Sequence, residues 1–354
     1  MTSRRIKNRL PSAPPRRGEA LRMMCALRRY YTTSPLTYGT LFILLLQEAC
    51  DLLAGYEHCT LCPRRCGTDR TRTAGPCGGT DQLRLARAAL HFWEEPCISG
   101  EGPNAPGSGT VFFSGCPLRC CFCQNFEISE ENRGKAVSEQ RLAEIFLELQ
   151  AHGAANINLV TGTHYLPGIL RALALARPAL TLPVAWNCGG YETLESVEAL
   201  AGEGGVGIFM PDLKYQDPAL SARFSRAPDY FEAASRAVRR MVEVAGPPVY
   251  DARGLLRSGV IVRHLVLPGH RDDSLRLLRW LAGALPRDSF ILSLMSQYTP
   301  YRPLPYKELN RRLSTFEYDA VVKEALRLGF TRAYTQQRTA AKEEYTPPFD
   351  LTGL

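Results

Sequence analysis

The chain has 354 residues, 45% hydrophobic, 22% charged and 9% aromatic, enough apolar material for one large α/β domain with an appendage or for two domains. Global disorder and a small stapled module are excluded. The longest purely apolar run, Leu41 to Leu46, falls far short of the roughly 20 residues that a spanning helix needs, so no membrane partner is expected.

The net charge of +8 is concentrated at one end. Residues 1–40 hold nine of the 43 Lys and Arg and one of the 35 Asp and Glu, so the rest of the chain balances 34 against 34. A neutral body argues against a phosphate-tracking face, and no nucleic acid partner is expected. This leader, rich in Arg, Pro and Ser, fits an organellar transit peptide, a disordered basic arm, or an over-extended start whose true beginning is Met23 or Met24; the three stay open. The apolar stretch after residue 40 lacks the small-residue cleavage site of a secretory signal, so the cytoplasm is the expected compartment, with organellar import by the leader left open.

The next segment, 41–104, is expected to be partly helical and Cys-rich. The chain has 12 Cys, and Cys59, Cys62, Cys66 and Cys77 form a first group with the spacing C-x2-C-x3-C-x10-C among glycines and prolines that suit tight knuckles. Four such thiols close a tetrahedral zinc site or ligate an iron-sulfur cluster, and spacing does not separate the two. His58 is an unneeded extra ligand. Cys25, Cys50, Cys97 and Cys188 lie outside both groups and read as small packing residues.

From residue 105 to 335 short β-like runs alternate with helical patterns. Six strands are predicted, at 110–114, 156–160, 183–187, 207–211, 260–266 and 290–295, with helices such as Ser138–Gln150, opened by an N-cap serine, and Asp229–Glu243 between them. Six βα units make an open partial barrel, a (β/α)6 arrangement, with chemistry at the C-terminal strand ends. The first strand runs straight into the second cysteine group, where Cys116, Cys120 and Cys123 have the spacing C-x3-C-x2-C. Three thiolates on one loop each take one iron of a 4Fe-4S cube and leave the fourth iron open to chelate the amino and carboxylate groups of a small ligand. Cys121 is expected to pack instead, because successive side chains of extended chain point apart.

That triplet, with Phe122 before its last Cys, resembles the signature of the radical S-adenosylmethionine superfamily. The strand ends Trp186-Asn-Cys-Gly-Gly-Tyr191, Pro211-Asp-Leu-Lys-Tyr215, Arg263-His264 with Leu267-Pro-Gly-His270, and Ser293 to Pro300 resemble more narrowly its pyruvate formate-lyase activating-enzyme branch, in members with an N-terminal Cys-rich segment. The resemblance covers roughly residues 55–335. It implies a 4Fe-4S cluster on Cys116, Cys120 and Cys123 that holds S-adenosylmethionine and reductively cleaves it to a 5′-deoxyadenosyl radical for hydrogen abstraction. By the same resemblance Asp212 and Lys214 match an acid-x-Lys pair, and Asn187 and Arg263 match strand-end positions, all near S-adenosylmethionine. A zwitterionic sulfonium ligand suits such groups, a carboxylate for its cationic end and Lys or Arg for its carboxylate.

His164 stands where the wider family has a Gly-Gly-Glu motif that meets the methionyl amine, which leaves Thr161 and Thr163 as candidates for that task. His264 and His270 read as structural. An electron donor such as flavodoxin or ferredoxin, and a glycyl radical enzyme as the protein activated, are the partners implied. Two rival readings stay open at this point: a radical enzyme modifying a small molecule or a peptide, and a zinc-binding interaction protein. Residues 336–354 read as a short tail.

Overall fold

The computed structural model describes residues 55–336 and 346–354; the basic leader and the start of the second segment lie outside the described residues. Ten strands, β1 (Arg84–His91), β2 (Ser108–Phe113), β3 (Lys135–Ala136), β4 (Ile157–Val160), β5 (Val184–Cys188), β6 (Val206–Pro211), β7 (Val249–Tyr250), β8 (Leu256–Leu265), β9 (Ile291–Met295) and β10 (Ala333–Thr335), form one sheet. Its order is β10-β9-β8-β6-β5-β4-β2-β1-β3, with β7 beside β8. The six strands expected from the sequence are β2, β4, β5, β6, β8 and β9, and each runs parallel to the next. The sheet goes further than expected at both edges, where β10 adds a parallel strand and β1 an antiparallel one. The path does not close, so the architecture is a partial barrel.

The main helices are α1 (Glu139–Ala151), α2 (Leu166–Ala176), α3 (Leu194–Ala201), α4 (Pro218–Ser225), α5 (Tyr230–Ala245), α6 (Arg271–Ala284) and α7 (Thr315–Arg327). The expected N-cap of α1 is present, with Ser138 Oγ accepting the Arg141 backbone N–H at 3.1 Å. Asp229 precedes α5 without capping it; its carboxylate is taken by the Tyr191 hydroxyl at 2.8 Å.

Successive strand residues point to opposite faces, and this sorts the core in two. Leu159, Val184, Trp186, Phe209, Val260, Val262, Leu292 and Leu294 pack outward with the helices in the main cluster. Ala185, Ile208, Met210, Ile261 and Ile291 pack inward in a separate cluster, joined by Cys97 and Ile98 from the single helical turn Pro96–Ser99. That turn also meets Leu256, at the start of β8, so it fills the end of the barrel where the strands begin. By the same alternation Asn158, Asn187, Arg263 and Ser293 fall on the inner face. Polar inner residues at the strand C-terminal ends over an apolar layer at the other end define where chemistry sits.

The described part of the expected tail packs along β1 and is not a free end. Leu351 N–H donates to Ala86 O at 3.1 Å, Thr352 O accepts Ala88 N–H at 2.9 Å, and Phe349 meets the Phe112 ring edge-on at 5.5 Å. Among the described residues no helix is long and apolar enough to cross a membrane.

Candidate active site

β2 delivers the chain into Ser114-Gly115-Cys116, and three backbone bonds fix that exit. Ser114 N–H donates to Arg84 O (2.9 Å), Gly115 N–H to Ile128 O (2.7 Å) and Cys116 N–H to Cys77 O (2.9 Å). Glycine is required at 115, where φ is +86° and a Cβ would lie 2.6 Å from the Cys77 carbonyl oxygen. The loop then turns, with Cys123 N–H bonded to Cys120 O at 3.0 Å, so that Cys116, Cys120 and Cys123 line one cavity of about 220 Å³. Cys121 faces other clefts, beside Arg302. Phe122 anchors the loop, its ring centroid 6.4 Å from those of Tyr215 and Phe224 and 6.1 Å from that of Tyr298.

Donors point at the sulfurs. Leu118 N–H reaches Cys116 Sγ at 3.4 Å and the Ser225 hydroxyl reaches Cys120 Sγ at 3.0 Å. Burial, and then the neighbouring thiols of Cys120 and Cys123, push the Cys116 thiol up to about 12; burial and Cys120 likewise raise Cys123. Three crowded, enclosed thiols with donors aimed at them suit a metal cluster that takes them as thiolates and replaces their mutual repulsion with bonds.

The same cavity is lined by Asn187, Asp212, Lys214 and Arg263, the four residues picked out in the sequence. Parallel pairing brings them to one level: Cys188 stands opposite Pro211, and Asp212 bridges Arg263 across the sheet. Lys214 Nζ lies 2.6 Å from Asp212 Oδ2, and Arg263 Nε lies 3.2 Å from Asp212 Oδ1. The far end of the guanidinium reaches Asn187 Oδ1 and, at 3.3 Å, Glu94 Oε2. The segment around Asp212 is held by Tyr230, whose hydroxyl donates to the Gly189 or Asp212 carbonyl (2.9 and 2.8 Å) and accepts from Lys214 N–H at 3.0 Å. Gly190 belongs to the same fastening: its φ is +75° and a Cβ there would lie 2.2 Å from Asp212 O.

Burial acts to raise Asp212, but the Lys214 ammonium and Arg263 guanidinium outweigh it and hold the carboxylate below its usual range. Glu94 and Glu95 go the other way, raised mainly by burial against the pull of Arg263. Lys214 and Arg263 thus bring two cations to one wall of carboxylates, with Asp212 held between them and Glu94 at the far end of the guanidinium. Glu94 and Glu95 were not singled out in the sequence. They come from the loop after β1, in Phe92-Trp-Glu-Glu-Pro96, where no strand end or periodicity marks them. Their one signal is a pair of adjacent acids inside an aromatic and proline setting. Asn158, which donates to Glu94 Oε1 at 3.0 Å, was also passed over, though a polar residue inside the apolar run Ile157–Val160 is a readable sign.

Thr161 lines the cavity. Thr163 does not share that position; its hydroxyl is committed to Glu192 at 2.6 Å. His164 lies beneath the cysteine loop, with Nε2 against Ser114 O at 2.8 Å. His264 uses both ring nitrogens, on Leu213 O (2.7 Å) and the Ser274 hydroxyl (2.8 Å), and His270 lies 3.7 Å from Glu308.

Residues 110–281 match the radical SAM superfamily. The chain carries a radical SAM domain. It runs from β2 into α6 and contains the cysteine triplet together with Asn187, Asp212, Lys214 and Arg263. The chain is also similar to an uncharacterised protein of Methanocaldococcus jannaschii, 27% identical over 281 residues that make up 76% of this chain and 75% of that one. Among solved structures it is similar to Streptococcus suis SuiB bound to S-adenosylmethionine (TM-score 0.44, 13% identity, 62% of this chain and 47% of that one). SuiB bound to the precursor peptide SuiA gives a TM-score of 0.42 at 13% identity, over 63% of this chain and 46% of that one. The chain spans about half the length of these two SuiB structures.

Outside this cavity, Glu192 is a buried acid clearly shifted from its ordinary value. Burial lifts it from 4.5 to about 7 against the bond from Thr163. A raised carboxyl favours the folded state fully below its unfolded pKa and loses that contribution as pH rises to the folded value. Stability is therefore expected to fall between about pH 4.5 and 7, by up to about 3 kcal/mol, and Glu192→Gln to flatten that slope in urea titrations across this range.

Proposed function

We propose that this chain reductively cleaves S-adenosylmethionine at a 4Fe-4S cluster held by Cys116, Cys120 and Cys123. The observation that supports this is one cavity lined both by the three thiols and by Asn187, Asp212, Lys214 and Arg263. When bound, the cluster supplies the electron that breaks the sulfonium C–S bond and so starts hydrogen abstraction. The chain's own residues do the holding. Lys214 and Arg263 offer donors for the ligand carboxylate, Asp212 fixes both cations in place and offers a carboxylate to the sulfonium, and Thr161 offers a hydroxyl from the cavity wall. Phe122 and the aromatic residues around it keep the loop dry.

A charged partner in such a site is worth roughly 1.5–3 kcal/mol, so Lys214→Ala is expected to weaken S-adenosylmethionine binding about tenfold or more, measured by calorimetry on protein with its iron intact. An unchanged dissociation constant would reject the assignment of Lys214.

The substrate of this reading is a polypeptide, the glycine loop of a glycyl radical enzyme, with flavodoxin or ferredoxin as the electron donor. Its support is the resemblance to activating enzymes and the rim of the cavity, where Trp93 lines the opening while 54% exposed and Phe92 beside it is 47% exposed. A small-molecule enzyme would enclose such a site. Reduced enzyme mixed with S-adenosylmethionine and a candidate partner should give a stable glycyl doublet in electron paramagnetic resonance. Formation of 5′-deoxyadenosine in proportion to a small metabolite, with no such doublet, would replace the polypeptide by that metabolite.

A further inference from the structure

Arg70 is fully buried, and none of its hydrogen bonds goes to a carboxylate. Its guanidinium donates to the carbonyls of Gly79 (3.0 Å), Thr80 (2.6 Å) and His164 (2.5 Å) and reaches Cys59 Sγ at 3.7 Å. The rings of Tyr56 and Tyr165 lie 5.0 and 5.7 Å from it. Arginine keeps its proton under all ordinary conditions, and a buried charge without a counter-charge is expensive. The acidic groups that act on it are the thiols of Cys77 and Cys59 and the Tyr56 hydroxyl. Cys77 Sγ and the Arg70 side chain both lie 3.5 Å from the point where Gly75 would carry a Cβ, so no larger residue comes between them.

The surrounding chain is built to present sulfur. Arg65 N–H closes a turn on Cys62 O at 2.9 Å, Gly67 N–H bonds Cys59 O at 3.1 Å, and Gly79 N–H points at Cys77 Sγ at 3.5 Å. Cys59, Cys62 and Cys77 are buried and Cys66 stands at the surface. Among the described residues no three His, Cys, Asp or Glu side chains are placed to hold a single metal ion. Thiols of Cys59, Cys66 and Cys77 grouped around Arg70, with Cys62 beside Cys59 and Cys77, that do not converge on one point suit a polynuclear centre, whose thiolates stand further apart than those of one ion.

We propose that Cys59, Cys62, Cys66 and Cys77 hold an iron-sulfur cluster of their own, with Arg70 as its buried counter-charge. Each thiol gives its proton to solvent as its sulfur bonds iron, and the anionic centre that results neutralises the guanidinium. This centre also braces the first one. Cys77 O accepts the Cys116 N–H, and Arg70 holds the carbonyl of His164, whose ring in turn meets Ser114 O. The proposal is independent of what the barrel cavity binds.

The test is metal content of the full chain purified without oxygen. Wild type is expected to hold about eight irons, two cubes of four, and the variant with Cys116, Cys120 and Cys123 all changed to Ala about four, with the signal of a reduced cluster in electron paramagnetic resonance. An iron-free triple variant that is folded by circular dichroism, or one zinc per chain in place of that iron, would each overturn it, whereas about four irons in wild type that persist in the triple variant would fail only the cavity cluster. In the triple-variant background Arg70→Met is expected to lose most of the remaining iron and Arg70→Lys to keep it. A folded Arg70→Met protein with full iron and an unchanged reduction potential would remove the counter-charge role.

Discussion

Replacing any one of Cys116, Cys120 or Cys123 by Ala is expected to remove about four irons per chain and abolish cleavage of S-adenosylmethionine, because the cube has no spare protein ligand to substitute. Cys121→Ala is the internal control. Its side chain faces clefts on the far side of the loop from the cavity, so iron content and cleavage should both stay near wild type. Anaerobic iron analysis and chromatographic assay of 5′-deoxyadenosine check both halves. Wild-type iron in all three single variants would end the assignment, and a colourless protein carrying zinc would favour the interaction-protein reading.

Arg263→Met is expected to give the largest loss of stability among the site variants. The guanidinium bridges Asp212, Asn187 and Glu94, and its side chain is only 13% exposed. Removing it leaves buried carboxylates facing one another with Lys214 alone to offset them, a change worth about 3–5 kcal/mol. Arg263→Lys should recover part of this, since one ammonium lacks the fork that reaches two carboxylates at once. The pH dependence has a definite sign. In wild type Asp212 is depressed, so its contribution is present above its unfolded pKa and lost as pH falls. In the Met variant the same acids lose that pull and rise, so the deficit is largest near neutral pH and shrinks as pH falls through their raised values toward the unfolded carboxylate range. Urea titrations at pH 5 and pH 8 give the comparison.

The contrast between what the sequence announced and what it hid follows from the kind of signal each residue carries. The six parallel strands were legible because each is a short apolar run bounded by turn residues, and α1 because Ser138 caps it. β10 was missed because three residues, Ala333 to Thr335, are too few to show a pattern. β1 was missed because it pairs antiparallel outside the βα repeat, in a segment marked out by cysteines. The same logic divides the site. Asp212 and Lys214 sit directly after a strand, where chemistry is expected, while Glu94 and Glu95 arrive from a loop far away in sequence and join only because the sheet curls. Local spacing also identified the two cysteine groups, yet gave no sign that Cys77 and Cys116 share a hydrogen bond, since contacts between distant turns leave no periodicity to read.

The Pro96–Ser99 turn bears on the order in which things come and go. With Cys97 and Ile98 filling the end where the strands begin, the cavity opens toward the other end, beside Trp93. If the proposed reaction runs there, a small ligand deep in the cavity would be seated before a larger substrate covers that opening, and its fragments would leave after the larger one departs. On the proposed function this would be a compulsory sequence of arrivals with the reverse sequence of departures, giving a covering polypeptide control over turnover without contact with the reacting atoms.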